Sequence, residues 1–155
     1  MGTRPASLQT GQAIRAAVVD NGGKRLALGR AAAGRRQMLV FERGHWCATC
    51  RRHLGLMTEH VAEFTARNID IVAITHEPES DLNGRVYPFP IIPDPSLELA
   101  AEFDVVGVDE FGKRTIRPAT ILVDDQGMIR FSYVGDDSRD RPTIPALLLA
   151  LDTLI

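Results

Sequence analysis

Short apolar runs bounded by polar or turn-forming residues organise this chain. Met38-Leu39-Val40-Phe41 is an unbroken apolar stretch, and Ile69-Asp70-Ile71-Val72-Ala73-Ile74-Thr75 is nearly so. Runs of this length predict strands buried on both faces. Between them Cys50, Leu54, Met57, Val61 and Phe64 recur at spacings of four, three, four and three. That spacing lays one stripe along a helix, which Asn68 is expected to end. Strand, helix and strand in this order predict a βαβ unit with a right-handed crossover.

The flanking segments read as hairpins, turns and short helices. Ile14 to Val19, the turn Asn21-Gly22-Gly23, and Arg25 to Leu28 predict an N-terminal β-hairpin. Arg30 to Arg36 reads as a loop or short helical turn, and Pro78 to Gly84 as a turn-rich or short helical segment. The prolines between Tyr87 and Pro95 remove ladder donors and exclude a long central strand there. Ser96 is the expected N-cap of a short helix carrying Leu97, Ala100, Ala101 and Phe103. Ala119 to Val123 and Met128 to Val134 flank Asp124-Asp125-Gln126-Gly127, a second hairpin in which Gly127 suits a positive φ. Thr143 to Leu154, opened by Pro142, is a terminal amphipathic helix. The sum is an α/β domain: a central mixed sheet with helices on both faces, over residues 13–155, preceded by a loosely held arm at 1–12.

Composition narrows the function. A chain of 155 residues is long enough for one domain with a full core. A net charge of −2 gives no electrostatic reason to expect nucleic acid or a membrane surface as partner. No apolar run approaches the roughly 20 residues of a membrane-spanning helix. Met1 to Gln12 lacks the apolar centre of a signal peptide, so the expected compartment is the cytoplasm. There, a pair of cysteines is read as catalytic or metal-binding rather than as a structural staple.

Cys47 and Cys50 are the only cysteines, and they stand between a predicted strand and the start of a predicted helix. Cys50 lies on the buried stripe. Cys47 lies at the helix tip, where free backbone N–H groups and the helix dipole stabilise a thiolate. Cys47 is therefore the expected nucleophile, with Cys50 one turn away to resolve its product as a disulfide. Arg43, His45, Arg51 and Arg52 add positive charge nearby. His45 is a candidate for proton transfer, because imidazole titrates near neutral pH. His53, His60 and His76 suggest no role beyond a helix face or the surface. The paired acids Asp109-Glu110, Asp124-Asp125 and Asp136-Asp137 read as solvated turn formers. The alternatives are two core cysteines, or a metal module built from Cys47, Cys50, His53 and His60. Against the metal, His60 lies ten residues beyond Cys50, about 15 Å along a helix and beyond the reach of one ion. An interaction domain with a degenerate redox site is a further class.

Three stretches resemble the thioredoxin superfamily, and more narrowly the peroxiredoxin-like proteins of the alkyl hydroperoxide reductase/thiol-specific antioxidant family. They are Phe41 to Arg51 with Trp46 before the first cysteine, Phe89 to Ser96 with Ala100 to Phe103, and Arg117 to Asp124 with Gly127. The resemblance implies a thioredoxin-like fold over about residues 8–152. It implies Cys47 as nucleophile, Cys50 as resolving cysteine, Pro118 as a cis-proline beside the site, and Trp46 as its aromatic flank. The residues themselves allow Pro118 equally as a trans proline at the first position of a strand. The implied function is a thiol-disulfide oxidoreductase acting on a protein or small-molecule disulfide or on a hydroperoxide. Its implied reductant is a thioredoxin-like protein or a low-molecular-weight thiol, and its cycle requires no cofactor or metal.

The chain also departs from that family. The usual proline seven residues before the reactive cysteine and the threonine or serine three before it are Val40 and Gly44 here. The usual arginine six residues before the late aspartate, Asp124, is Pro118, while Arg117 alternates to the other strand face. The Gly-Pro that thioredoxin carries between its cysteines is Ala48-Thr49. Thioredoxin's buried acid falls at Phe41, and Glu42 is expected to face elsewhere. These departures favour dithiol–disulfide exchange over fast peroxide reduction.

Overall fold

A strand that is apolar on both faces is stable only where both faces are covered, and the architecture follows from that requirement. The computed structural model describes residues 11, 13, 17–21, 24–82 and 85–154. The expected arm at 1–12 lies outside the described residues except for Gly11, whose N–H donates to the Ile129 carbonyl at 2.7 Å. Gly22 and Gly23 of the expected turn also lie outside them.

The central strand β3 (Arg36–Glu42) is buried from Gln37 to Glu42. It pairs in parallel with β4 (Ile69–Thr75) and antiparallel with β8 (Ala119–Val123). The sheet is completed by β5 (Ile91–Pro93) beside β4 and β9 (Ile129–Val134) beside β8, giving the order β5-β4-β3-β8-β9. Two hairpins stand apart from it. One is β1 (Ala17–Asn21) with β2 (Lys24–Leu28), the other β6 (Val106–Val108) with β7 (Arg114–Ile116). The β6–β7 hairpin has no counterpart in the sequence reading.

Alternation along β3 divides the core in two. Leu39 and Phe41 face a cluster with Leu28, Phe103, Ile116 and Ile121, built around α3 (Glu98–Glu102) and the two hairpins. Met38 and Val40 face the other cluster, with Leu54 and Met57 of α1 (Ala48–Glu59), Phe64 of α2 (Val61–Thr65), and Leu147 and Leu151 of α4 (Ile144–Asp152). Glu42 has the parity of Met38 and Val40.

Two expectations are corrected. The single stripe from Cys50 to Phe64 is carried by two helices, because His60 leaves helical geometry (φ −110°, ψ 10°). The His60 N–H closes α1 on the Leu56 and Met57 carbonyls, its carbonyl opens α2, and its Nδ1 lies 3.0 Å from Glu63 Oε1. Ser96 is exposed and does not cap α3. Leu97 takes a left-handed conformation (φ 64°), and the buried Asp94 carboxylate caps the helix instead. Its oxygens accept from the N–H groups of Leu99 (3.1 Å) and Ala100 (2.9 Å).

Replacing Asp94 with Ala removes the acceptors of one buried and one part-buried N–H group. This is expected to cost about 2 kcal/mol. Urea unfolding should show the midpoint falling with an unchanged slope.

Candidate active site

The end of β3 sends two charged side chains to opposite faces. Glu42 points under α1, and Arg43 points beside the turn that leads into it. That turn depends on Gly44, whose φ is 146°. A Cβ at this position would stand 2.5 Å from the Trp46 ring nitrogen, so only glycine allows the ring to fold back over the turn. The Arg43 guanidinium lies 4.7 Å from the centroid of the Trp46 ring and donates to Glu110 Oε2 at 2.9 Å. Trp46 itself is 55% exposed and lies outside the core.

Cys47 is the N-cap residue of α1, in extended conformation (φ −92°, ψ 115°). It thus sits against the free N–H groups of the first turn. Both cysteines are free thiols, Cys47 7% exposed and Cys50 fully buried. Cys47 Sγ lies 3.1 Å from Thr49 Oγ1. Burial opposes ionisation of Cys47. Hydrogen bonds from the Cys50 thiol, the Thr49 hydroxyl and the Cys50 N–H, with the charge of Arg43, outweigh it and hold its pKa below the ordinary cysteine value. The Cys50 pKa moves the opposite way. Burial pushes it far up, the Glu42 charge and the hydrogen bond to Cys47 add to the rise, and Arg141 opposes it.

Beneath Cys50 lies a buried charged group absent from the sequence reading. Arg141 Nη2 donates to Cys50 Sγ at 3.2 Å and Arg141 Nη1 to Glu42 Oε1 at 2.7 Å. His53 Nδ1, one helical turn beyond Cys50, lies 2.6 Å from the same Glu42 oxygen. Glu42 is fully buried and His53 is 5% exposed. Burial works against the Glu42 carboxylate, but the charges and hydrogen bonds of His53 and Arg141 prevail and keep its pKa below the usual carboxylate range. Glu42 therefore does not face away from the site, and His53 is not a surface residue. Glu42 Oε2 and His53 Nε2 are buried with no hydrogen-bond partner among the described residues.

The other expected residues are placed differently. The Arg117–Pro118 peptide bond is trans, and the described residues contain no cis peptide bond. The expected cis-proline is corrected to a trans proline entering β8. Backbone hydrogen bonds lock the chain on both sides of it, from Arg117 N–H to the Val105 carbonyl (2.7 Å) and from Gly135 N–H to the Pro118 carbonyl (2.8 Å). Pro118 and Arg43 line one cleft between the β6–β7 hairpin and the loop at Asp136 and Asp137. His45 holds Glu77 through its backbone N–H, and its carbonyl accepts from Arg51. Burial and the charges of Arg85 and Arg51 lower its pKa against the opposing pull of Glu77, which keeps its ring neutral near pH 7. Among the described residues no hydrogen bond joins that ring to Cys47. His60 caps helices away from the cysteines. Among the described residues no three His, Cys, Asp or Glu side chains converge as a metal-ligand set.

One cysteine thus stands at a helix tip with a second buried one turn behind it, on the sheet order β5-β4-β3-β8-β9. The model of the AhpC/TSA family matches residues 10–132. The chain belongs to the AhpC/TSA family. Solved structures agree at the level of the fold. The peroxidoxin BcpB of Mycobacterium tuberculosis superposes with a TM-score of 0.74 at 19% identity, covering 95% of this chain and 96% of that one. AhpC of Mycobacterium tuberculosis gives 0.73 at 18%, with 95% and 98% covered. A cysteine-to-serine variant of PrxQ from Xylella fastidiosa gives 0.74 at 13%, with 97% of each chain covered. Among curated proteins none matches the chain in sequence. The thioredoxin-like, peroxiredoxin-type fold and the class of thiol-dependent oxidoreductase follow from membership of the AhpC/TSA family.

The Cys47 environment predicts its pH dependence. Alkylation of Cys47 by iodoacetamide, followed by intact mass, should reach half its maximal rate below the ordinary thiol value of about 8.5. Thr49→Val removes one donor to the thiolate. It should move that profile upward and slow alkylation at neutral pH by a factor of about 2–10.

Proposed function

We propose that this AhpC/TSA protein reduces hydroperoxides through a Cys47–Cys50 dithiol and is returned to the dithiol by a thioredoxin-like protein or a low-molecular-weight thiol. One observation carries the reading: the two thiols stand in different environments, Cys47 at the N-cap of α1 with the Thr49 hydroxyl 3.1 Å from its sulfur, and Cys50 fully buried one turn behind it with Arg141 Nη2 at 3.2 Å. The groups expected beside a reactive cysteine are absent from their usual positions at Gly44 and Pro118. Other residues stand in for them. The Thr49 hydroxyl lies 3.1 Å from the sulfur, and Arg43 supplies positive charge from the end of β3. A donor and a cation beside the thiolate favour attack on a peroxide oxygen, because they stabilise charge developing on the leaving oxygen.

In this reading the Cys47 thiolate attacks the terminal oxygen of the hydroperoxide. The S–O bond forms, the O–O bond breaks, and the leaving alkoxide takes a proton from solvent to become the alcohol. Cys47 is then a sulfenic acid, oxidised by two electrons. Cys50 attacks Cys47 Sγ, the S–S bond forms, and the departing hydroxide combines with the proton that Cys50 loses to give water. The external thiol returns two electrons by exchange. Disulfide exchange is the second reading, favoured by the exposed Trp46 ring beside the thiol, a flat apolar surface suited to a polypeptide disulfide. We place the protein in the cytoplasm, where a cysteine pair is kept for redox chemistry in place of a structural staple.

The adjacent Trp46 reports the chemistry. Reduced protein mixed with stoichiometric hydrogen peroxide in a stopped-flow instrument should change its fluorescence much faster than a free thiol reacts, and intact mass should show loss of two hydrogens. Cys47→Ser should abolish the change, and Cys50→Ser should stop at an oxygen adduct on Cys47. A rate no faster than a free thiol gives would move the protein to disulfide exchange. An adduct on Cys50 in place of Cys47 would refute the assigned roles.

A further inference from the structure

Closing a disulfide requires the second thiol to give up its proton while attacking, and in this chain the second thiol is the buried one. Its surroundings are drawn from three parts of the fold. Glu42 comes from β3, Cys47 and His53 come from α1, and Arg141 comes from the segment just before α4. Arg141 is nine-tenths buried at its side chain and has one nitrogen on Cys50 Sγ (3.2 Å) and the other on Glu42 Oε1 (2.7 Å). Its Nε donates to the Ser138 carbonyl at 2.8 Å, so the guanidinium plane is fixed on a third side. His53 Nδ1 lies 2.6 Å from the same carboxylate oxygen and 3.0 Å from Arg141 Nη1. A guanidinium held in this way presents a directed N–H and a permanent positive charge to one sulfur.

We propose that Arg141, clamped by Glu42 and His53, is a positioning residue for Cys50 and the counter-charge for its thiolate during closure of the Cys47–Cys50 disulfide. The proposal rests on the reading of Cys47 as nucleophile and Cys50 as resolving thiol. As Cys50 attacks, its S–H bond breaks and negative charge gathers on Sγ before the S–S bond forms. The proton goes to the group leaving Cys47: a hydroxide becoming water, or a thiolate becoming a thiol when the adduct is a mixed disulfide. Arg141 keeps its own protons throughout and opposes the cost of that charge in a buried site. Glu42 has two effects of opposite sense. It aims Arg141 at the sulfur, and its own charge resists the thiolate.

Those opposed signs separate an electrostatic role from simple packing. With Cys47→Ser, Cys50 is the sole thiol, and its alkylation by iodoacetamide can be followed against pH by intact mass. Arg141→Met should slow alkylation at neutral pH about tenfold or more and move the profile upward. Arg141→Lys, which keeps the charge, should recover most of the rate. Glu42→Gln, which keeps an acceptor for Arg141 and removes the negative charge, should speed alkylation. Loosened packing would instead speed both Arg141→Met and Glu42→Gln, and that result overturns the proposal, as does a profile unmoved by Arg141→Met. Where Arg141→Met prevents folding, as judged by circular dichroism, Arg141→Lys stands beside Glu42→Gln: acceleration with Glu42→Gln and a near wild-type rate with Arg141→Lys are expected, and acceleration in both, or in neither, overturns the proposal. In the chain with both cysteines, Arg141→Met should slow disulfide closure by a similar factor. A wild-type chain that forms an adduct on Cys47 but never the disulfide refutes the functional reading. A disulfide that closes at the same rate with and without Arg141 refutes only the role of Arg141.

Discussion

The structure depends on one buried ion pair, Glu42 with Arg141. The carboxylate ends the central strand, the guanidinium comes from 99 residues later, and little water reaches either. Two charges so placed are tolerated where their geometry is good and other groups share their hydrogen bonds; here Glu42 Oε1 takes two partners while Oε2 has none among the described residues. His53 and the Ser138 carbonyl are such groups, and Cys50 Sγ takes the remaining guanidinium nitrogen. Removing one partner of such a pair typically costs about 3–5 kcal/mol, because the other charge is left buried and alone. The pair therefore fixes the segment before α4 against the end of β3, with Cys50 and His53 of α1 held against both. It also determines which cysteine is buried against charge and which faces the turn.

The fold was legible because it is written in local patterns. The apolar runs of β3 and β4, the stripe from Cys50 to Phe64 and the turn residues around Gly127 each specify an element without reference to the rest of the chain. What failed was set by detail finer than periodicity. A 3.6-residue stripe continues through His60 whether or not the backbone does, so spacing alone cannot show a helix that stops and restarts. Ser96 is a good capping residue by type, but the left-handed turn at Leu97 brings Asp94 to the helix start. The short strands β6 and β7 offer too few alternating residues to stand out, yet their tip carries Glu110 to Arg43.

The site was half legible for a related reason. Two cysteines at a strand-to-helix junction are a local signal, and so is Trp46 beside them. Glu42 was read as facing elsewhere because it stands one residue beyond Phe41, where thioredoxin's buried acid falls, and successive strand residues alternate. Counting by twos from Met38 and Val40 would have placed Glu42 on the face covered by α1 and α4, with Cys50 and His53. A charged residue closing an otherwise apolar run was the available clue. Arg141 left no clue of that kind. It lies in a loop among other charged residues, and only the folded chain brings it to a sulfur.

On the proposed reading, the environments of the two thiols match the order in which they would react. Burial acts on both in the same sense and disfavours both thiolates. Position on the helix decides the difference. Cys47, at the N-cap, lies where donors converge: the N–H and S–H of Cys50 and the hydroxyl of Thr49. Cys50, one turn inside, is the donor of one of those bonds, so the same contact that lowers the Cys47 pKa raises its own. On the proposed reading, this shared proton favours Cys47 as the attacking sulfur and holds Cys50 in reserve. Once Cys47 is oxidised it is no longer an anion accepting that proton, and this restraint on Cys50 disappears at the moment when its attack is required.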